Sequence, residues 1–212
     1  MKDDKVDPPD DFGENITGWH NLLGWGEGDD SVAPYVPTPI SVVRTMLEIT
    51  EAGPGDTVVD LGCGDGRILI MAVEEFGVDR AIGYELNPHL VDTAQTKVYD
   101  KELNNRIEVV NGNFMEADLS LATVVTLYLT TTGNAKLRPK FIDELKEGTR
   151  IISHDFPIIE WVADTPDREA IKVGTHKLFP YRIPEAYTTK IEEPEKPVEG
   201  RWDRIRRLLD RL

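Results

Sequence analysis

Two carboxylates and three glycines mark the stretch of this chain best equipped for chemistry. Asp60 stands two positions before Gly62, and Gly62, Gly64 and Gly66 alternate with Cys63 and Asp65. Glu85 follows 19 residues after Gly66. Glycines at alternate positions let the backbone turn tightly and approach a ligand without Cβ clashes. A carboxylate just ahead of such a loop repels a pyrophosphate and attracts an ammonium. A carboxylate at the end of the next strand can accept from both hydroxyls of a ribose. Together these groups suit a nucleoside that carries a cation and no phosphate.

The elements that must hold them are legible. Val58, Val59 and Leu61 read as a buried strand, and Ile68-Leu69-Ile70-Met71-Ala72-Val73 reads as an apolar helix. The loop between them lies at the carboxyl end of a strand, where open α/β sheets bind ligands. Ala81-Ile82-Gly83-Tyr84-Glu85 is a second strand, and Arg106–Asn111 a third that leads into Gly112-Asn113-Phe114. Dinucleotide enzymes space their glycines G-x-G-x-x-G; here the third arrives one residue sooner. The pattern resembles motif I of class I methyltransferases, whose cofactor, S-adenosylmethionine, has an α-ammonium and no phosphate. That resemblance assigns the corner after the third strand to adenine, with Asn113 accepting from the amino group and Phe114 lying against the ring.

Composition bounds the rest. The chain has 212 residues, 40% of them hydrophobic and 30% charged, with a formal net charge of −15. One α/β domain with short extensions fits that length. No apolar run reaches membrane-spanning length, and Met1-Lys2-Asp3-Asp4-Lys5 lacks the apolar core of a signal peptide. The single cysteine, Cys63, excludes an internal disulfide and any cysteine-based zinc site, and points to a reducing cytoplasm. His20, His89 and His176 show no metal-ligand spacing, so no metal site is expected. The charge argues against nonspecific nucleic-acid binding and for cationic partners such as lysine-rich proteins. A high-salt cell interior would also favour an acidic surface.

Three regions are expected: an acidic, partly disordered extension over residues 1–30, a catalytic domain over 31–190, and a linker with a basic amphipathic helix over 191–212. In the extension, Trp19, Leu22, Leu23 and Trp25 interrupt a run of acidic and proline residues. Thr38 is positioned to cap a helix over 40–49, with Pro39 at its first position. Strands are predicted at 58–61, 80–85, 106–111, 123–129 and 149–153, and helices at 67–76, 88–104 and 135–146. Two closing strands near 170–174 and 176–182 follow, the last antiparallel. The alternation predicts an α/β architecture, a mostly parallel sheet with helices on both faces, and the resemblance to motif I implies that it is the seven-stranded, Rossmann-like class I methyltransferase fold. In the terminal helix, Ile205, Leu208, Leu209 and Leu212 share one face, framed by Arg204, Arg207 and Arg211. That face is expected to dock on the protein's own surface or on a sister subunit.

The methyl acceptor must be read from strand 123–129 and the segments after it. No Asn/Asp-Pro-Pro-aromatic run of the amino-adenine enzymes occurs there, no Pro-Cys nucleophile, no pair of glutamates for a guanidinium, and no carboxylate metal cluster. Tyr35-Val36-Pro37-Thr38-Pro39, Asp60–Arg67, Val124–Leu129, Lys136-Leu137-Arg138-Pro139 and Ser153-His154-Asp155-Phe156-Pro157 occur in matching order. Over roughly residues 32–185 they resemble the archaeal broad-specificity protein lysine methyltransferases. Eukaryotic relatives of that family act on mitochondrial proteins, and its core is similar to the non-SET histone lysine methyltransferases. The resemblance implies that Tyr35 and Thr38 close over the methionine end of the cofactor. Asp60, Gly62 and Gly64 then line its amino-acid part, Glu85 binds ribose, and Asn113 with Phe114 binds adenine. Asn113 departs from the common Asp, which implies weaker adenine binding. Tyr128 is placed where the target amine meets the methyl group. His154-Asp155 either faces the acceptor or fixes the loop after strand 123–129. The implied substrates are lysine-containing proteins, with the enzyme a monomer or weak homo-oligomer. Two alternatives are a small-molecule or RNA methyltransferase on the same fold, and a non-catalytic cofactor-binding partner subunit.

Overall fold

The computed structural model describes residues 36–165, 168–187 and 201–209. The expectations for residues 1–30, for Tyr35 and for the linker lie outside that range.

Seven strands form one sheet in the order β3-β2-β1-β4-β5-β7-β6. β1 (Thr57–Leu61), β2 (Arg80–Glu85), β3 (Ile107–Asn111), β4 (Val124–Leu127) and β5 (Arg150–His154) run parallel. β7 (His176–Arg182) is antiparallel to both β5 and β6 (Ile171–Val173). Val58–Leu61 and all of β4 are buried, as central parallel strands require. From β1 the chain steps outward to β2 and β3, then returns across β1 to β4 and β5. Right-handed crossovers therefore place helices on both faces, and the order reverses between β1 and β4.

The helices start where local chemistry allows. Asn87 caps α3 (Pro88–Asp100) by accepting the His89 N–H, with Pro88 at the first position. α3 stops short of the predicted 104 because Glu102 takes a left-handed backbone, φ 60°. α4 (Thr131–Glu144) starts four residues earlier than predicted. Thr130 caps it by accepting the Gly133 N–H, so the apparent loop Thr131–Asn134 is its first turn. At α1 (Ile40–Ile49) the expectation fails: Pro39 takes the cap position and no side chain caps the helix. The Thr38 hydroxyl is engaged elsewhere.

One apolar layer joins Met46 and Leu47 of α1, Leu69 and Ala72 of α2 (Arg67–Glu74), and Leu178 of β7. Ile205 of α5 (Arg201–Leu209) belongs to the same layer, and Arg204 pairs with Glu51. The terminal helix thus docks on its own domain.

Candidate functional site

The reversal between β1 and β4 places Asp60 and its loop in the crevice where ligands of such sheets bind. Asp60 pairs with Thr126 in the β1–β4 register and is buried. The Thr126 hydroxyl donates to Asp60 Oδ1 at 2.7 Å. No described group donates to the buried Oδ2. Burial, opposed by the Thr126 bond and aided by Glu85 and Asp65, raises the Asp60 carboxyl to about 7. A buried carboxylate oxygen without a donor is costly. It fits an incoming cation.

The loop after Asp60 carries left-handed backbone at Gly62 and Gly66, φ 87° and 78°. A Cβ at Gly66 would lie 3.1 Å from Ala94 Cβ, so strain and space both demand glycine. Glu85 closes the loop from the far side. Its Oε2 accepts the Gly64 N–H at 3.0 Å and its Oε1 accepts the Asn87 N–H at 2.9 Å. These bonds fix the carboxylate while leaving further lone pairs for hydroxyl donors. Asp65 is held by Arg67 and Lys97. Burial alone would raise it, but those two cations lower it to about 2.

Asn113 and Phe114 sit at the tip of β3 as expected, with one adjustment. Asn113 Oδ1 already accepts the Met115 N–H at 2.9 Å, capping a single turn Phe114–Glu116. That bond orients the Asn113 amide and leaves its NH₂ as the natural donor to a base. Phe114 is buried.

Thr38 joins this pocket to the neighbouring strand. Arg67 Nη1 donates to the Thr38 carbonyl at 2.9 Å. The Thr38 hydroxyl bonds His154 Nδ1 at 3.1 Å. His154, at the end of β5, is fully buried and packs against Tyr128, with ring centroids 3.9 Å apart and the planes tilted by 38°. Burial is the chief cause that lowers His154 to about 4, with His176 adding and Asp155 opposing. It is a neutral imidazole at physiological pH.

Tyr128 follows β4 directly, its hydroxyl 3.4 Å from Asp155 Oδ2. Burial first, then Asp155, raises its phenol to about 12, so it acts as a donor. The Phe156 ring stacks near it at 6.3 Å. Asn134, buried in the first turn of α4, donates to Ser153 Oγ and to the Phe156 carbonyl, which fixes the Phe156 loop. His176 at the start of β7 completes the group: its Nδ1 lies 2.9 Å from His154 Nε2 and 3.1 Å from Asp155 Oδ2. His154, Asp155 and His176 thus offer three ligand atoms within 4.8 Å of one another. Linear spacing gives no sign of this, because β7 runs antiparallel and returns His176 to the tip of β5. His154 packs on Tyr128 and bonds Thr38, and Asp155 lies beside the Tyr128 hydroxyl, so the pair contacts the residue that follows β4.

Thr126, Asn134 and His176 are the supporting residues that sequence reading misses. Thr126 lies in a recognised strand and is signalled only by its register with Asp60.

A family model described as the ANTKMT methyltransferase domain matches residues 60–165, half of the chain. A protein-lysine N-methyltransferase of Saccharolobus islandicus is 46% identical over 72% of this chain and 94% of its own length. An adenine nucleotide translocase lysine N-methyltransferase of Mus musculus is 32% identical over 71% of this chain, which spans 63% of that protein. Among solved structures, an RNA methyltransferase from Salinibacter ruber in complex with S-adenosyl-L-homocysteine is 38% identical. The match has a TM-score of 0.68 over 74% of this chain and 100% of that one. Motif order, sheet order and these likenesses agree: the chain belongs to the ANTKMT methyltransferase domain family, in its group of protein-lysine N-methyltransferases.

Proposed function

We propose that this protein transfers methyl groups from S-adenosylmethionine to the ε-amine of lysine in protein substrates. The single observation that supports the donor site is the buried Asp60 Oδ2 without a donor, beside a glycine loop closed by Glu85. S-adenosylmethionine supplies an electrophilic methyl group on a sulfonium. Asp60 Oδ2 receives its α-ammonium, Gly62 and Gly64 line its amino-acid part, and Glu85 takes the ribose hydroxyls. Asn113 and Phe114 hold the adenine, and Tyr35 and Thr38 cover the methionine end.

At the acceptor end the Tyr128 hydroxyl and ring position the amine. Stacked Tyr128 and Phe156 suit the alkyl arm and cationic head of lysine. Alignment and exclusion of water carry most of the rate, because the reaction is a direct displacement. The amine must be neutral to attack, and a partly apolar channel lowers its affinity for a proton.

The acidic surface, net −15, favours lysine-rich protein partners. The description of the Salinibacter ruber relative brings an RNA acceptor as a second reading. Net charge opposes it, since RNA binding draws on Lys and Arg against phosphate. No helix among the described residues is long and apolar enough to cross a membrane. A reducing cytoplasm and a monomer or weak homo-oligomer complete the reading. Intact-protein mass spectrometry tests it: lysine-rich proteins gain methyl-sized steps with S-adenosylmethionine, and the same proteins with dimethylated lysines gain none.

A further inference from the structure

We propose that His154, Asp155 and His176 form a site for one divalent transition-metal ion of the zinc class, set beside the acceptor corner. The inference departs from the expectation of no metal and holds whichever acceptor is methylated.

Three ligand atoms converge there from the tips of β5 and β7. His154 Nε2 lies 2.9 Å from His176 Nδ1, and His176 Nδ1 lies 3.1 Å from Asp155 Oδ2. Asp155 Oδ2 in turn lies 3.3 Å from His154 Nε2. A tetrahedral zinc ion, with ligand bonds of about 2.0–2.1 Å, spaces its ligand atoms by roughly 3.3 Å. The triangle needs only a slight opening to seat it. The two imidazole rings are tilted by 55° with centroids 4.8 Å apart, so they meet through their nitrogens and not face to face. Two imidazoles with one carboxylate suit zinc, cobalt or nickel better than calcium or magnesium, which take oxygen ligands. Three protein ligands leave a fourth position for water.

Groups behind the triangle hold each ligand in place. His154, whose side chain is fully buried, has its other nitrogen, Nδ1, on the Thr38 hydroxyl at 3.1 Å. Such an outer contact fixes the orientation of a ligating imidazole. Asp155 Oδ1 accepts the Lys177 N–H at 2.8 Å, which leaves Oδ2 to the histidines. Asp155 also has φ 59°, and its N–H donates to the Lys177 carbonyl at 2.7 Å. Left-handed backbone at a residue other than glycine is costly and persists where the surroundings hold it. His154 pairs with Leu178 in the antiparallel register, and that pairing brings the start of β7 to the tip of β5. The side chains of Asp155 and His176 are 25% and 28% exposed, which gives an ion a way in.

A proton satisfies this cluster less well than a metal cation. With Nδ1–H directed to Thr38, His154 Nε2 carries a bare lone pair, and Asp155 Oδ2 presents others 3.3 Å away. The His176 Nδ1–H stands between them and bonds one well or both poorly. The Tyr128 hydroxyl, 3.4 Å from Oδ2, is longer than the roughly 2.7 Å of a good O–H···O bond. A dication draws all three ligand atoms at once, with His176 carrying its proton on Nε2. The ion then ties β5 to β7 next to the imidazole against which Tyr128 packs.

Metal binding tests this apart from methyl transfer. Tag-free, full-length protein is stripped with a chelator, dialysed, and titrated with zinc sulfate against a chromophoric chelator. One equivalent is expected to bind with a dissociation constant below about 10 μM, and Tm should rise with zinc concentration. Cobalt(II) should give the visible absorption of a four- or five-coordinate site, and zinc should displace it. His176→Ala, and Asp155→Asn, which keeps an acceptor for the Lys177 N–H, should each weaken zinc binding at least roughly 100-fold, the upper end of what loss of an outer partner costs. Weaker binding by the wild type overturns the proposal, even if both variants fail to fold. Wild-type zinc affinity in either variant also overturns it and places the ion elsewhere on the acidic surface. A protein that binds zinc as expected and methylates no lysine is a different failure, that of the lysine reading.

Discussion

Thr38 and His154 stand 116 positions apart in the chain, yet Thr38 Oγ1 and His154 Nδ1 lie 3.1 Å apart in the buried interior. Through Arg67 on its carbonyl, Thr38 also holds the glycine loop. Through its hydroxyl it also meets the His154 ring against which Tyr128 packs. One residue, through its carbonyl and its hydroxyl, therefore connects the donor pocket to the acceptor corner.

Removing that link should uncouple the two. Thr38→Val keeps the volume but leaves His154 Nδ1 without its hydroxyl, an expected loss of about 1–3 kcal/mol in urea unfolding. The same variant should lower kcat more than it weakens cofactor binding. Equal effects on both would argue that Thr38 serves the donor pocket alone.

Titration of His154 probes the same buried imidazole. Its folded value, about 4, lies below the ordinary 6.5, so the unfolded chain binds the proton more strongly. Its contribution to stability is present above pH 6.5 and is lost as pH falls toward 4. His154→Gln should flatten the thermal-melting profile across that window. A variant that melts with the wild-type pH dependence would assign the acid sensitivity to other groups.

Asp60 gives a titration of opposite sign. Its folded value of about 7 lies above the ordinary 3.8, so its contribution to the free fold is greatest below pH 3.8 and is lost as pH rises through 7. Cofactor binding runs the other way, because the ammonium needs the ionised form. Calorimetric affinity for S-adenosylmethionine should fall about tenfold per unit below pH 7 and level off above it. Asp60→Asn should cost roughly 1.5–3 kcal/mol of binding and abolish that slope. A slope that survives in the variant would place the titrating group elsewhere.

The glycine loop allows a structural test. Gly66→Ala meets both a left-handed φ of 78° and a Cβ contact of 3.1 Å to Ala94. Destabilisation of about 1–3 kcal/mol is expected, with cofactor affinity falling in parallel. Unchanged melting would show that the loop relaxes at little cost.

Tyr128→Phe separates hydroxyl from ring. The packing against His154 survives while the donor to Asp155 is lost, so kcat should drop about 10- to 100-fold with cofactor affinity unchanged. Wild-type turnover would make Tyr128 a wall of the channel only.

The donor half of the site is legible in the sequence because its constraints are local. Asp60, the glycines and Glu85 are bound to strand ends by short spacing, and the apolar runs around them announce β1, α2 and β2. The acceptor half is legible only as a resemblance, since its parts meet through topology. His176 reaches Asp155 because β7 turns back along β5, and Asn134 reaches the Phe156 loop because α4 starts early. Thr38 misleads for a related reason: a threonine before a proline and an apolar run has the pattern of a helix cap. A buried imidazole 116 residues away claims its hydroxyl instead.

Methyl transfer to protein lysine is decided most sharply by offering both acceptor classes at once. The full-length enzyme, given S-adenosylmethionine with an isotope-labelled methyl group, is incubated with a lysine-rich protein and with RNA in equal mass. Label is expected on lysine side chains, located by fragment mass spectra, with none on RNA and less in the Asp60→Asn control at subsaturating cofactor. Label on RNA bases with lysines unmodified would refute the lysine assignment.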